Sequence, residues 1–139
     1  MATHHAIAAT SQAILALLKD ACPRSDFANA EFALYQASDF DKPLEEGISL
    51  FLYRVTINGA VRNLPPRLGP DGRRYRPSLP VDLHYLLTPW AKDPDKQQRL
   101  LGWSMRALED STILPSGLLN YYMPEPQIFD PSETVELIA

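Results

Sequence analysis

Apolar positions recur at spacings of three and four from residue 3 to residue 22, where Ile7, Ser11, Ile14, Leu15, Leu18 and Cys22 fall on one stripe. That period predicts a helix, and the alanines between the stripe positions favour one. Pro23 stops it. Cys22, at the last stripe position, reads as a small buried hydrophobe and not as a reactive thiol. Over 31–36, Phe32, Leu34 and Gln36 alternate with Ala33 and Tyr35, which predicts a short strand. A polar connection carrying Asp39, Asp41, Pro43, Glu45, Glu46 and Gly47 follows. Residues 48–58 form the strongest predicted strand, rich in β-branched and aromatic residues. Its second half alternates, with Tyr53, Val55 and Ile57 on one face and Arg54, Thr56 and Asn58 on the other. Its first half, 48–52, is apolar on both faces, which predicts burial on both sides or cover by a partner.

Asn58-Gly59 fits a type I′ turn, with 60–63 returning as the second arm of a hairpin. Residues 64–78 read as a loop stiffened by Pro65-Pro66, with a tight turn at Gly69-Pro70-Asp71-Gly72. A second strand is predicted over 79–88, started by Pro80 and ended by Pro89. Asp93-Pro94 opens a second helix as cap and first residue. Leu101, Met105 and Leu108 are its expected stripe, with Leu100 and Trp103 beside them, and Leu101→Ala is expected to cost about 2–5 kcal/mol. The helix frays near 111–112, Pro115-Ser116-Gly117 forms a break, 118–122 is a short element of its own, and a last strand falls at 134–138. The pattern defines one α+β domain over residues 1–139, a mostly antiparallel sheet flanked by two helices, with no internal repeat.

Composition narrows the functional classes. With 139 residues, 45% hydrophobic and 22% charged, the chain can bury a core of its own. One cysteine excludes an intrachain disulfide and a cysteine-based zinc site. No apolar run reaches the ~20 residues of a membrane span, and no secretory signal pattern opens the chain. A net charge of −4 argues against general nucleic-acid binding. Residues 62–76 differ from the rest: Arg62, Arg67, Arg73, Arg74 and Arg76 stand against Asp71 alone, a balance of +4 on an acidic body. A solvated loop and an interface are equally compatible with that run. Five arginines with no lysine favour the interface, since the planar guanidinium suits one better than a hydrated ammonium does. Copies of such a chain are electrically suited to attract one another head to tail.

Catalytic chemistry is not evident. His4 and His5 lie at the chain start, and His84 sits two residues from Asp82 on the polar face of a strand. A His–Asp pair there needs a nucleophile, and Ser49, Ser78, Ser104 and Cys22 lack a nucleophile motif. A surface or interface role for His84 is the stronger reading. There is no phosphate-binding glycine loop, metal-ligand spacing or dinucleotide fingerprint, so no catalytic, cofactor or metal residue is assigned and no enzyme activity is expected. Trp90 and Trp103 are expected in packing before any role as interface anchors. The features favour a subunit of a larger assembly.

Specific strings go further. The run Ile48-Ser49-Leu50-Phe51-Leu52-Tyr53-Arg54-Val55 with Asn58 resembles a known family. So do residues 79–90, LPVDLHYLLTPW, the helical Gln98-Arg99-Leu100-Leu101-Gly102, and Leu114-Pro115. The family is the tail-terminator or cap protein of extracellular contractile injection systems of the antifeeding-prophage type, and the resemblance spans essentially the whole chain. It implies a fold similar to phage tail terminators and a hexameric ring on the baseplate-distal end of the inner tube. Such a ring stops tube growth and joins the last sheath layer to the tube. The implied partners are further copies of the chain, the tube protein and the sheath protein. Nucleic acid and a membrane span are not expected, and assembly is expected in the cytoplasm. The family pattern continues with another helix and strand, so the chain is expected either to be truncated after Ala139 or to complete its sheet with a neighbour. The competing readings are another ring adaptor of a contractile tail, a peptide-binding module using a strand edge, and a small hydrolase built around His84.

Overall fold

The computed structural model describes residues 4–59, 67–68, 71–75, 79–121, 129 and 134–139. Helix α1, Ala6–Ala21, turns Ala9, Ala13, Ile14, Leu15 and Leu18 into the core, together with Thr10 and Ser11. The two hydroxyls are tolerated there because each donates to a carbonyl one turn back, Thr10 to Ala6 at 2.9 Å and Ser11 to Ile7 at 3.1 Å. Ile7 departs from the predicted stripe and is exposed, while Cys22 is buried at the helix end.

The central sheet has the order β1 (Glu31–Tyr35), β2 (Gly47–Ile57), β5 (Val81–Trp90). β1 runs parallel to β2, from Glu31 opposite Gly47 to Tyr35 opposite Phe51, and β5 runs antiparallel to β2. A 3₁₀ helix, Ala37–Asp41, lies in the β1–β2 connection, and its start is fixed by the Gln36 N–H donating to Asp39 Oδ2. The parallel pair has no local sequence signature and was not expected. The α+β class is as expected.

Both faces of the first half of β2 are covered. Ile48 and Leu50 join the main core with α1, Leu114, Leu119 and Phe129. On the other face, Trp90 donates from Nε1 to Ser49 Oγ at 2.8 Å. There Tyr35, Phe40, Phe51 and Trp90 pack at ring separations of 5.5–6.4 Å. β5 continues through Pro89, opposite Ile48, where the sequence predicted an end. Proline is accommodated because among the described residues β5 pairs with β2 alone, and a residue on such a strand can do without an N–H on its open side.

In the second half of β2 the register shifts by one residue between Leu52 and Arg54, which leaves Tyr53 as a bulge. Val55 and Ile57 then pair with Leu83 and Val81 on one face, and Arg54 and Thr56 with His84 and Asp82 on the other. Tyr53 therefore does not share a regular face with Val55 and Ile57, as strict alternation had predicted. The predicted return arm, 60–63, lies outside the described residues. The antiparallel partner of β2 is β5, and the Asn58 N–H donates to Pro80 O at 3.0 Å. Within the expected loop two short strands pair, β3 (Arg67–Leu68) with β4 (Arg74–Tyr75).

Helix α2, Pro94–Asp110, starts as predicted: Asp93 accepts from the Asp95 N–H at 3.1 Å, with Pro94 in the first turn. Its buried face differs. Leu100 and Ser104 are fully buried and Trp103, Ala107 and Leu108 pack on the core, whereas Leu101 and Met105 are 37% and 52% exposed. The expected stripe was rotated because Ser104, a polar residue, lies at the centre of the true one. Its hydroxyl donates to Leu101 O at 2.8 Å and so needs no water. β6 (Ile113–Pro115) leads directly into α3 (Ser116–Tyr121), and β6 pairs antiparallel with β7 (Thr134–Glu136). The Asn120 amide both donates to and accepts from the backbone of buried Phe129, at 2.9 and 2.7 Å, and fixes that residue to the core.

Candidate protein interface

β2 and β5 are about twice as long as β1, so among the described residues their far halves run on as a two-stranded arm. One face of the arm is apolar, with Val55 48% and Ile57 45% exposed beside half-buried Leu83 and Val81. Exposed β-branched residues at adjacent positions of a ribbon are unusual for a surface that meets only water. The opposite face is polar. Thr56 Oγ1 lies 3.2 Å from His84 Nε2, and the Asn58 amide donates to Asp82 Oδ1 at 3.4 Å. His84 and Asp82 thus share a face but are held by Thr56 and Asn58, and the ring beside His84 is that of Tyr53.

The chain leaves the arm at Asn58 and returns to it at Pro80, and the described residues of this excursion are 59, 67–68, 71–75 and 79. Arg67 and Arg74 lie on β3 and β4, with Leu68 opposite Arg74. Arg73 is exposed between them; its N–H donates to Asp71 Oδ1 at 3.1 Å and its Nε lies 3.8 Å from Asp71 Oδ2. Gly72, at φ 76°, supplies the turn that the Asp-Gly pair announces. Arg62 and Arg76 lie outside the described residues. Leu68 and Leu79, on the same excursion, are 73% and 68% exposed.

The other end of the sheet has the opposite character. Around Gly47 and Trp90, the acids Glu31, Glu45, Glu46 and Asp93 surround Lys92 and Lys96 at a shallow open depression of about 290 Å³. Glu46 is internally committed: it pairs with Lys96 and accepts from the Asn29 N–H at 3.0 Å. Glu31 and Glu45 are exposed. Burial pushes the Cys22 thiol above its ordinary value, with Arg24 opposing and Glu46 reinforcing that shift. The Tyr85 phenol is also raised by burial, partly offset by its 2.6 Å hydrogen bond to Ser11.

Among the described residues no three His, Cys, Asp or Glu side chains gather as a metal site, and no helix is long and apolar enough to cross a membrane. The sequence anticipated the charge of this run and the turn at Asp71-Gly72, but not the pairing of β3 with β4. It also did not anticipate the exposure of Val55 and Ile57, whose signal was the strand length alone.

These observations define an α+β domain whose β2/β5 arm leaves Val55 and Ile57 exposed. Residues 9–137 match the Pvc16 N-terminal domain, and the chain belongs to that family, a domain of antifeeding-prophage-associated proteins. It is accordingly a contractile-injection-system-associated protein. No curated protein and no solved structure matches it.

Proposed function

We propose that the protein is a non-catalytic cap of a contractile injection system. In this reading it forms a ring, hexameric by the family resemblance, on the baseplate-distal end of the inner tube. It ends tube growth and joins the tube to the last sheath layer. The observation that carries the reading is the family match over 9–137. The arm supports it, since capping needs one surface that engages neighbours and another that does not propagate. Many modest contacts multiplied by ring symmetry then supply affinity without a deep pocket. The likeness to phage tail terminators, assembly in the cytoplasm, and contacts with tube and sheath proteins belong to this proposal.

The test is imaging of purified particles carrying a tag on this chain. The label is expected at the tube end remote from the baseplate, once per particle. Label distributed along the sheath, or at the baseplate, would replace the cap with a different ring adaptor.

A further inference from the structure

We propose that Asn58-Gly59, where β2 ends, is a self-modifying site of this chain: the Asn58 side-chain amide deamidates, and the carboxylate that replaces it faces Asp82. An asparagine is converted when the backbone nitrogen of the next residue reaches its side-chain carbonyl carbon. Access to that nitrogen therefore decides which asparagine of a folded chain reacts. Glycine in the next position obstructs it least, because it carries no Cβ.

The structure separates Asn58 from the other described asparagines. Asn29 precedes Ala30, whose N–H donates to Phe27 O at 3.3 Å. Asn120 has its amide bonded on both sides to the backbone of Phe129, at 2.9 and 2.7 Å. At Asn58, the N–H donated to Pro80 O at 3.0 Å holds the peptide unit before the residue. Ring closure must turn the unit after it, and there the Gly59 N–H has no partner among the described residues. Gly59 is exposed, and no atom lies within 4 Å of the place a Cβ would take. The Asn58 amide donates to Asp82 Oδ1 at 3.4 Å, longer than an ordinary hydrogen bond. Backbone conformation does not demand this glycine, since the described glycines at positive φ are Gly47 and Gly72.

The step needs only water and hydroxide. The Gly59 nitrogen loses its proton to hydroxide and attacks Asn58 Cγ. The new C–N bond closes a five-membered succinimide, the Cγ–Nδ2 bond breaks, and Nδ2 leaves as ammonia with a proton from water. Water then opens the ring at either carbonyl, giving aspartate or isoaspartate at position 58. Both products put an acceptor-only carboxylate where a donor stood, and the net charge goes from −4 to −5. Asp82, opposite Thr56 in the register, then meets a like charge in place of its donor, which destabilises neighbouring strands. The modification loosens the far end of the β2/β5 arm.

The test follows the full chain by peptide mass mapping during incubation at mildly alkaline pH, native and in urea. The Asn58 peptide should gain the mass of one deamidation, as aspartate and isoaspartate forms, at a native rate within about tenfold of the rate in urea. The native Asn29 and Asn120 peptides should stay unchanged over that time. G59A, a methyl for which the structure has room, should slow conversion at least about tenfold with the melting temperature kept. An Asn58 that converts in urea but stays intact in the native chain, or in neither, overturns the proposal, as does equal conversion at native Asn29 and Asn120. N58D supplies the product directly. Its melting temperature should fall by about 2–4 °C at low salt and partly recover at about 1 M salt; an unchanged value overturns the effect on the arm.

Discussion

Gly47 is where the two strands that carry the core come too close for any side chain. Its φ is 146°, a region open to glycine, and a Cβ built there would lie 1.9 Å from Glu31 O, 2.6 Å from Glu31 N and 2.8 Å from Glu31 C. All three are backbone atoms, so no rotamer change relieves the clash. Gly47→Ala therefore incurs about 1–3 kcal/mol of backbone strain. Separation of β1 from β2 also endangers the Glu31 N–H to Glu46 O bond, 2.9 Å long, for about 0.5–1.5 kcal/mol more. Alanine narrows the unfolded ensemble, which offsets about 0.4–1 kcal/mol. The net is a loss of about 0.5–4 kcal/mol, centred a little above 2, from a total on the order of 5–15. At roughly 4 °C per kcal/mol for a chain of this size, the melting temperature should fall by about 10 °C. Urea and thermal unfolding measure it, and Gly102→Ala is the control. Gly102 lies in α2 with nothing within 4 Å of its would-be Cβ, so alanine there should stabilise by about 0.8–1 kcal/mol. A Gly47→Ala protein within about 0.5 kcal/mol of wild type, an ordinary surface effect, would refute the reasoning.

The rotated face of α2 predicts that Leu100→Ala costs about 2–5 kcal/mol, while Leu101→Ala, at a position 37% exposed, costs well under half as much; equal losses in urea unfolding would restore the sequence-based stripe. Alkaline stability should decline in a defined order. Cys22 and Tyr85 hold their protons more tightly folded than unfolded, so their contributions are complete below the ordinary values of 9.0 and 10.0 and are lost as pH rises through the higher native values. Tyr85→Phe should flatten the upper part of that decline in a pH series of unfolding curves, and an unchanged slope would contradict the assignment. Cys22, only 8% exposed with its thiol raised, should react with a thiol reagent slowly in the native state and rapidly in denaturant; fast native labelling would place it on the surface.

The parts of this fold that a single strand or helix dictates were legible. Period-two alternation announced β5, the density of β-branched and aromatic residues announced β2, and Asp93-Pro94 marked the start of α2 almost to the residue. What depended on partners was not. Nothing near residues 31–35 says that β1 will lie parallel to β2, because that direction depends on the connection through the 3₁₀ helix carrying the chain back to pair Gly47 with Glu31. Ser104 disguised the buried face of α2, since a hydroxyl bonded to its own helix is indistinguishable from an exposed one in sequence. Tyr53 looked like a member of a regular face until the pairing of β2 with β5 made it a bulge. The candidate interface divides the same way: the arginines were visible as charge, but the pairing of β3 with β4 and the Asn58–Pro80 bond that ends the β2/β5 arm were not.

The claim on which the account rests is that this chain terminates a growing tube. Electron micrographs of particles from cells lacking it measure that directly through the distribution of tube lengths. The account predicts a broad distribution with poorly retained sheath, restored to one sharp length when the chain is supplied again. Particles of normal, uniform length and firmly sheathed in its absence would contradict it.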